Sequence, residues 1–164
     1  MIKTVSTAIF TLLVFAQVSV AKDDFKPKSI NFSTGLEAYQ SELGAHCDSV
    51  TVHRFDPPEL PGTDREHLQL DCEGFDFWGK PRLAEFVFRD GKLALVWILT
   101  SPEEEAVLES ELKKTYGQAS HTSGDFTAFS AYQAALRKDV PEVLFYSPDM
   151  APMFEAWFSQ NAAQ

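Results

Sequence analysis

The chain has 164 residues, and 24 acidic residues against 14 Lys and Arg give it a net charge of −10. A field of this sign repels nucleic acid and anionic membrane surfaces, so we expect neither as a partner. Fourteen Phe, three Trp and four Tyr supply enough apolar material for the core of one domain of ordinary size.

Residues 1–21 have the pattern of a cleavable signal peptide. Lys3 precedes an uncharged stretch with an apolar centre, and Ser19-Val20-Ala21 ends it with small residues at the two positions that a signal peptidase selects. We therefore expect cleavage after Ala21 and no membrane insertion of the mature chain. A membrane anchor is the alternative, but a spanning helix needs about 20 mostly apolar residues, and this stretch contains several polar ones: Ser6, Thr7, Thr11, Gln17 and Ser19.

The predicted location is periplasmic or secreted. A short leader with one Lys favours a Gram-negative periplasm. A sequon, Asn31-Phe32-Ser33, would matter only in a eukaryotic source. Behind the leader, we expect residues 22–33 to be a flexible lead-in, because they are polar and broken by Pro27, and residues 34–164 to form a single α+β domain.

Two cysteines, Cys47 and Cys72, are predicted to form a structural disulfide, since an even pair in an exported protein most simply means one bridge. A metal site or a redox pair is the alternative, although the chain has no C-x-x-C motif. We expect the bridge to tie a strand at 49–55 to a strand at 66–72. In the second strand Cys72 alternates inward with Leu68 and Leu70.

The first half of the chain has a predicted helix over 34–44 that ends at Gly44. Its clearest predicted element is a β-hairpin. Asp90-Gly91 between the strands 83–89 and 92–99 is a strong signal for a two-residue turn. A regular register then pairs Arg89 with Lys92, Phe88 with Leu93, Phe86 with Leu95 and Ala84 with Trp97. That register predicts one core face: Phe86, Phe88, Leu93, Leu95 and Trp97.

The second half opens on a helix with Ser101 as N-cap, Pro102 in its first turn and Glu104 completing a capping box; Gly117 ends it. Strands over 126–132 and 142–146 follow, and then a last helix after Ser147. The order α-β-β-β-β-α-β-β-α predicts an α+β fold, an antiparallel sheet with helices packed on one face. Each half starts with a helix that ends in Gly, which is either a weak structural repeat or the common look of such domains.

No catalytic or metal-binding motif stands out. The chain has no Gly-x-Ser-x-Gly elbow and no His-Glu-x-x-His pair. His53 and His67 would meet near Asp71 if their strands pair, but surface histidines are the simpler interpretation. We therefore expect no cofactor and no metal, and we do not expect an enzyme.

Two segments have the composition of a partner-binding surface. The first is Gly74–Gly79, where Phe75, Phe77 and Trp78 lie between glycines. The alternative for this segment is that the strand continues and alternate residues fill the core. The second is the loop that carries Pro57, Pro58 and Pro61, which would lose little entropy on binding.

These observations favour a non-catalytic exported interaction domain, of inhibitor, assembly-factor or accessory-subunit type, with an envelope or secreted protein as its partner. The alternative is a carrier of a small apolar ligand. Its cavity would be lined by aromatic residues: Phe86, Phe88, Trp97, Phe154 and Trp157.

Overall fold

The architecture comes from a computed structural model that describes residues 25–162; the leader predicted for residues 1–21 lies outside the described residues. Three helices and one eight-stranded sheet make up the fold. The helices are α1 (Leu36–Leu43), α2 (Glu105–Tyr116) and α3 (Ala151–Asn161). The strands are β1 (Ser49–Phe55), β2 (His67–Phe77), β3 (Lys80–Arg89), β4 (Lys92–Leu99), β5 (His121–Thr122), β6 (Phe126–Phe129), β7 (Ala134–Arg137) and β8 (Glu142–Tyr146).

Every strand pairs antiparallel with its neighbours, in the order β1-β2-β3-β4-β8-β7-β6-β5. The predicted α+β class and the predicted element order are confirmed, with two short strands, β5 and β7, in addition. The predicted strand over 126–132 ends at Phe129 and turns into β7. Each half of the chain is therefore one helix followed by a four-stranded meander, and the two meanders join where β4 pairs with β8.

Apolar side chains cover both faces of the sheet. On the α1/α2 face, Tyr39, Leu43, Leu108 and Leu112 pack with the inward residues of the central strands. On the opposite face, the α3 face, residues such as Phe158 pack on a second cluster. The expectation of helices on one face thus holds for α1 and α2, whereas α3 lies on the other.

The predicted hairpin register is wrong beyond its first two pairs. Arg89 pairs with Lys92 and Phe88 with Leu93, but an irregularity follows, and Phe86 then pairs with Val96. The extra residue reverses the side-chain alternation of β4. Leu95 and Trp97 consequently lie on the α3 face, and Val96 and Ile98 take the expected core positions.

The predicted flexible lead-in is ordered by the core from Phe25 onward. Phe25 is 3% exposed, and its ring lies 5.6 Å from the ring of Phe77 and 6.3 Å from that of Phe145. Ile30 is also buried. The Tyr39 hydroxyl donates to the Ser29 carbonyl at 2.9 Å. The polar composition of residues 22–33 does not indicate this order, because two buried side chains are enough to fix a short segment.

The predicted disulfide is confirmed. Cys47 and Cys72 are bonded with their Cα atoms 5.3 Å apart. Cys72 is fully buried on β2 opposite Val50 of β1, and Cys47 lies just ahead of β1. The bond therefore joins the start of β1 to the neighbouring strand β2, as the inward register of Cys72 requires.

Breaking this bond should destabilise the domain. On the chain-entropy model a loop of this length contributes about 3.5 kcal/mol to the free energy of unfolding. We expect Cys47→Ser, or reduction of the wild type, to lower that free energy by roughly this amount in denaturant titration. Reductant should leave the Cys47→Ser variant unchanged, and equal stability of the oxidised and reduced wild type would contradict the prediction.

Removing the Phe25 ring should also be costly. Phe25→Ala deletes a fully buried ring, for which core substitutions typically lose about 3–5 kcal/mol. Val107→Ala on α2 is the control: Val107 is 57% exposed, so we expect a change of at most about 0.5 kcal/mol. Urea unfolding of both variants is the measurement. A free lead-in would instead make Phe25→Ala as neutral as the control.

Candidate functional site

Only part of the α3 face is covered by helix α3. The helix lies over the half formed by β5–β8, where Phe126, Tyr146 and Phe158 pack together. Over the other half the loop 56–66 reaches inward only as far as Leu60 and Pro61. A groove therefore opens between the helix and the loop.

Strand pairing sets which side chains form the floor of this groove. Paired residues point to the same side of a sheet. The pairs Thr51–Asp71, Asp71–Glu85, Glu85–Trp97 and Trp97–Leu144 thus form one continuous line across the α3 face. We call Thr51, Asp71, Glu85, Trp97 and Leu144 the cross-sheet row. It runs from polar residues at β1 to apolar residues at β8.

The groove has a volume of about 460 Å³ and is almost entirely apolar. The sheet supplies its floor, α3 one wall and the loop 56–66 the other. Its lining residues are Pro61, Trp97, Phe126, Ala135, Arg137, Leu144, Met153, Phe154, Trp157 and Phe158.

Helix α3 places one aromatic side chain at the mouth of the groove. Phe154 and Phe158 face the sheet and are buried, with the Phe154 ring 4.5 Å from that of Tyr146. The Trp157 ring lies 5.1 Å from that of Phe126, yet Trp157 is 44% exposed. A large apolar surface at a concave site is the usual material of a binding hot spot.

The opposing loop is held by hydrogen bonds from the sheet. The Asp90 carboxylate, in the β3–β4 turn, accepts from the backbone N–H groups of 64–66 at 2.7–3.1 Å, and these bonds lower the pKa of Asp90. Nδ1 of His67 accepts from the N–H groups of Glu59 and Leu60. Burial lowers the pKa of His67, which keeps Nδ1 free to accept. The wall that carries Pro61 is therefore pre-ordered.

Charged groups line one end of the groove. Arg137 donates from Nε to Asp139 at 2.8 Å and from Nη1 to Glu142 at 3.0 Å. Its guanidinium carbon lies 5.9 Å from the centre of the Trp97 ring. Two carboxylates thus surround one guanidinium, so Arg137 is already paired at this end of the groove.

Burial strongly perturbs the acids near this end. Desolvation raises the pKa of Glu142 to about 7, although Arg137 opposes that rise. Desolvation, with the charge of Asp71, also raises the pKa of Glu85. Further along the row, Asp71 accepts from Gln69 at 2.8 Å and lies 2.8 Å from Nε2 of His53. A ligand that brings positive charge would stabilise the ionised forms of these carboxylates.

The first predicted binding segment is mostly core. β2 continues to Phe77, and Phe75 and Phe77 are each 2% exposed, so neither ring is open to a partner. Trp78 lies at the β2–β3 turn and is 44% exposed. Its ring is 5.3 Å from that of Phe25, on the α1/α2 side, and it lies outside the groove. The alternative interpretation, a continuing strand that fills the core, describes two of the three aromatics.

The three prolines of the second predicted segment lie in two different places. Pro57 and Pro58 are exposed on the loop, and Pro61 lines the groove. Of the residues named for an apolar ligand cavity, Trp97, Phe154 and Trp157 line the groove, whereas Phe86 and Phe88 face α1 and α2. Sequence reasoning missed Phe126 and Arg137, which come near Trp97 only through the pairing of β4 with β8.

The two strand histidines do not form a site together. His53 meets Asp71, while His67 stacks on Phe55 at 4.3 Å, so the two histidines do not converge. The described residues contain no group of three His, Cys, Asp or Glu side chains arranged to hold a metal. None of the described helices combines the length and the apolar character that a membrane span requires.

Comparison of the chain with protein-family models, with curated proteins and with solved structures finds no match.

Glu142 should give the domain a measurable pH dependence. Its folded pKa of about 7 exceeds the ordinary value of 4.5, so the folded state holds a proton that the unfolded chain has released between these pH values. This group therefore makes the free energy of unfolding fall as pH rises through that window. Glu142→Gln stays neutral, and we expect it to gain stability relative to the wild type between pH 5 and pH 8.

Denaturant titrations at both pH values measure this difference. Glu37→Gln, on the exposed side of α1, is the control and should follow the wild type. The lowered pKa of His67 acts in the opposite sense, but it is shared by all three proteins and cancels in the comparison. Parallel pH profiles for Glu142→Gln and the wild type would contradict the prediction.

Proposed function

We propose that this chain is a non-catalytic, exported protein-interaction domain, of inhibitor, assembly-factor or accessory-subunit type. Its partner is an envelope or secreted protein, and the periplasm is its compartment. The observation that carries the proposal is the apolar groove on the α3 face, with Trp157 at its mouth. The partner inserts an apolar side chain into the groove and sets basic residues against the adjoining acids.

The shape of the groove favours an inserted side chain. Its floor and walls come from the sheet, from α3 and from a loop that the sheet holds in place. A site ordered before binding loses little conformational entropy when the partner arrives. An apolar anchor surrounded by a polar rim is the common anatomy of a protein interface.

The charges favour a basic partner. Asp71, Glu85, Asp139 and Glu142 adjoin the groove or the row that leads to it, and Arg137 is already paired with two of them. The whole chain carries −10. Charge complementarity of this kind accelerates association and excludes acidic partners.

Export is supported by the leader pattern of residues 1–21 and by the buried Cys47–Cys72 bond. Disulfides persist in oxidising compartments and are rare in the cytosol.

Two tryptophans with equal exposure give a matched test, because Trp157 and Trp78 are each 44% exposed. We expect Trp157→Ala to weaken capture of the partner by at least about 2 kcal/mol, as loss of a central aromatic anchor does. Trp78→Ala should leave capture unchanged. The measurement is cross-linking and pull-down from a periplasmic extract of the source, followed by titration of the captured protein.

Two outcomes would contradict the proposed site. If Trp78→Ala abolished capture while Trp157→Ala retained it, the binding surface would be the β2–β3 turn. If both variants captured the partner as the wild type does, neither tryptophan would be an anchor. Thermal unfolding of both variants controls for folding.

A carrier of a small apolar ligand is the second candidate, because a groove of about 460 Å³ lies within the size range of small-molecule sites. Three residues expected for such a cavity, Trp97, Phe154 and Trp157, do line it. Native mass spectrometry of protein purified from its source discriminates the two functions. A carrier retains an apolar molecule of defined mass in the groove, whereas a protein-docking site is found empty and captures a protein.

A further inference from the structure

The edge strand β1 presents an unused pairing surface. It lies at the end of the sheet and, within residues 25–162, pairs with β2 alone. It is seven residues long, and six of the seven are exposed. The other edge strand, β5, has only two residues. Among the described residues, β1 is therefore the long edge strand with unpaired backbone groups.

Native proteins usually protect such an edge. Proline, inward charges, lysine or a bulge are the common devices. The β1 sequence, Ser-Val-Thr-Val-His-Arg-Phe, has no proline and no lysine, and its pairing with β2 is regular from end to end. Its one permanent charge, Arg54, is already paired with Glu66 at 2.5 Å.

The two sides of β1 differ in chemistry. Val50 and Val52 point to the α1/α2 side and are 37% and 51% exposed. Thr51 and His53 point to the α3 side. There Thr51 begins the cross-sheet row, next to Asp71.

We propose that β1 accepts an extended segment of the partner as a ninth strand, and that this segment alternates apolar and basic residues. Its apolar side chains cover Val50 and Val52. Its basic side chains pass over the small Thr51 toward Asp71. The added strand lies about 10 Å, or two strand spacings, from β2, which carries Asp71. A Lys or Arg and an Asp side chain together span that distance. Backbone hydrogen bonds give affinity in strand addition, and alternate side chains give specificity.

Charge argues against a second copy of this chain as the occupant. Two copies paired through β1 would bring the two acidic rows together, while the one permanent positive charge of β1, Arg54, points to the other side and is already paired with Glu66. With −10 on each copy, that pairing is repulsive, whereas a basic strand is attracted.

This inference rests on the proposed function, since both describe binding of a protein, but it uses a different surface. Thr51 and Trp97 lie three strand spacings apart on the cross-sheet row, about 14 Å. A variant at β1 and a variant at the groove therefore report on separate contacts.

The probe is a capped heptapeptide that alternates Lys and Val, labelled for fluorescence anisotropy. The control peptide has the same composition with its lysines in one block. We expect the alternating peptide to bind the wild type at least tenfold more tightly than the block peptide. Binding should also slow hydrogen exchange of the β1 amides.

Val52→Lys should weaken binding of the alternating peptide by tenfold or more. Val107→Lys is the matched control: it adds the same charge at a valine that is 57% exposed on α2, and it should bind as the wild type does. Trp157→Ala should bind it normally too. Melting curves confirm folding, which both exposed positions should tolerate.

Four results would overturn strand addition at β1. The block peptide could bind as well as the alternating one, or Val107→Lys could weaken binding as much as Val52→Lys, and either result would mean general charge attraction. Loss of binding in Trp157→Ala alone would place the peptide in the groove and leave the proposed function standing. Self-association of the wild type that Val52→Lys abolishes would assign the edge to a second copy.

Discussion

The antiparallel pairing of β4 with β8 determines the arrangement of the rest of the molecule. It joins two meanders, and a two-fold rotation normal to the sheet relates the two strands of such an antiparallel pair. The rotation exchanges the two pairs that flank Trp97–Leu144, which are Val96–Phe145 and Ile98–Val143. A rotation of this kind does not exchange the two faces of the sheet, and α1 and α2, which each precede a meander, pack on the same face. The opposite face is left to α3, which is too short to cover it, and the groove follows from that mismatch.

Local chemistry made much of the fold predictable from sequence. The Asp90-Gly91 turn, the Ser101–Glu104 capping box and the inward alternation that buries Cys72 each depend on a few neighbouring residues, and each is present. The capping box closes a single 3-10 turn, Pro102–Glu104, that leads into α2. The irregularity after Phe88 has no such marker, since any residue of an apolar strand accommodates it. One extra residue there moved Leu95 and Trp97 to the other face. The packing of Phe25 was equally hidden, because it depends on rings distant in sequence, at Phe77 and Phe145.

The same distinction explains the candidate site. Its aromatic members on β4 and α3 stand out by composition, and Trp97, Phe154 and Trp157 were named for that reason. Their convergence with Phe126 and Arg137 requires both the reversed alternation of β4 and the β4–β8 pairing, which are non-local. In the Phe75–Trp78 segment, by contrast, three similar residues have two different roles, because strand alternation buries Phe75 and Phe77 and the turn exposes Trp78.

The cross-sheet row links the two proposed contacts. Its polar end, Thr51, lies at the edge strand, its apolar end lies in the groove, and Asp71 and Glu85 lie between them. Burial already raises the pKa of Glu85 before any partner binds. A partner that covered the row without supplying bases would remove more water from these carboxylates, and an unpaired buried charge costs several kcal/mol at least. A partner that placed lysine or arginine there would turn the same desolvation into a stronger attraction. In the proposed complex the acids would discriminate between partners more than they add affinity, and the groove and the open edge of β1 would supply the binding energy.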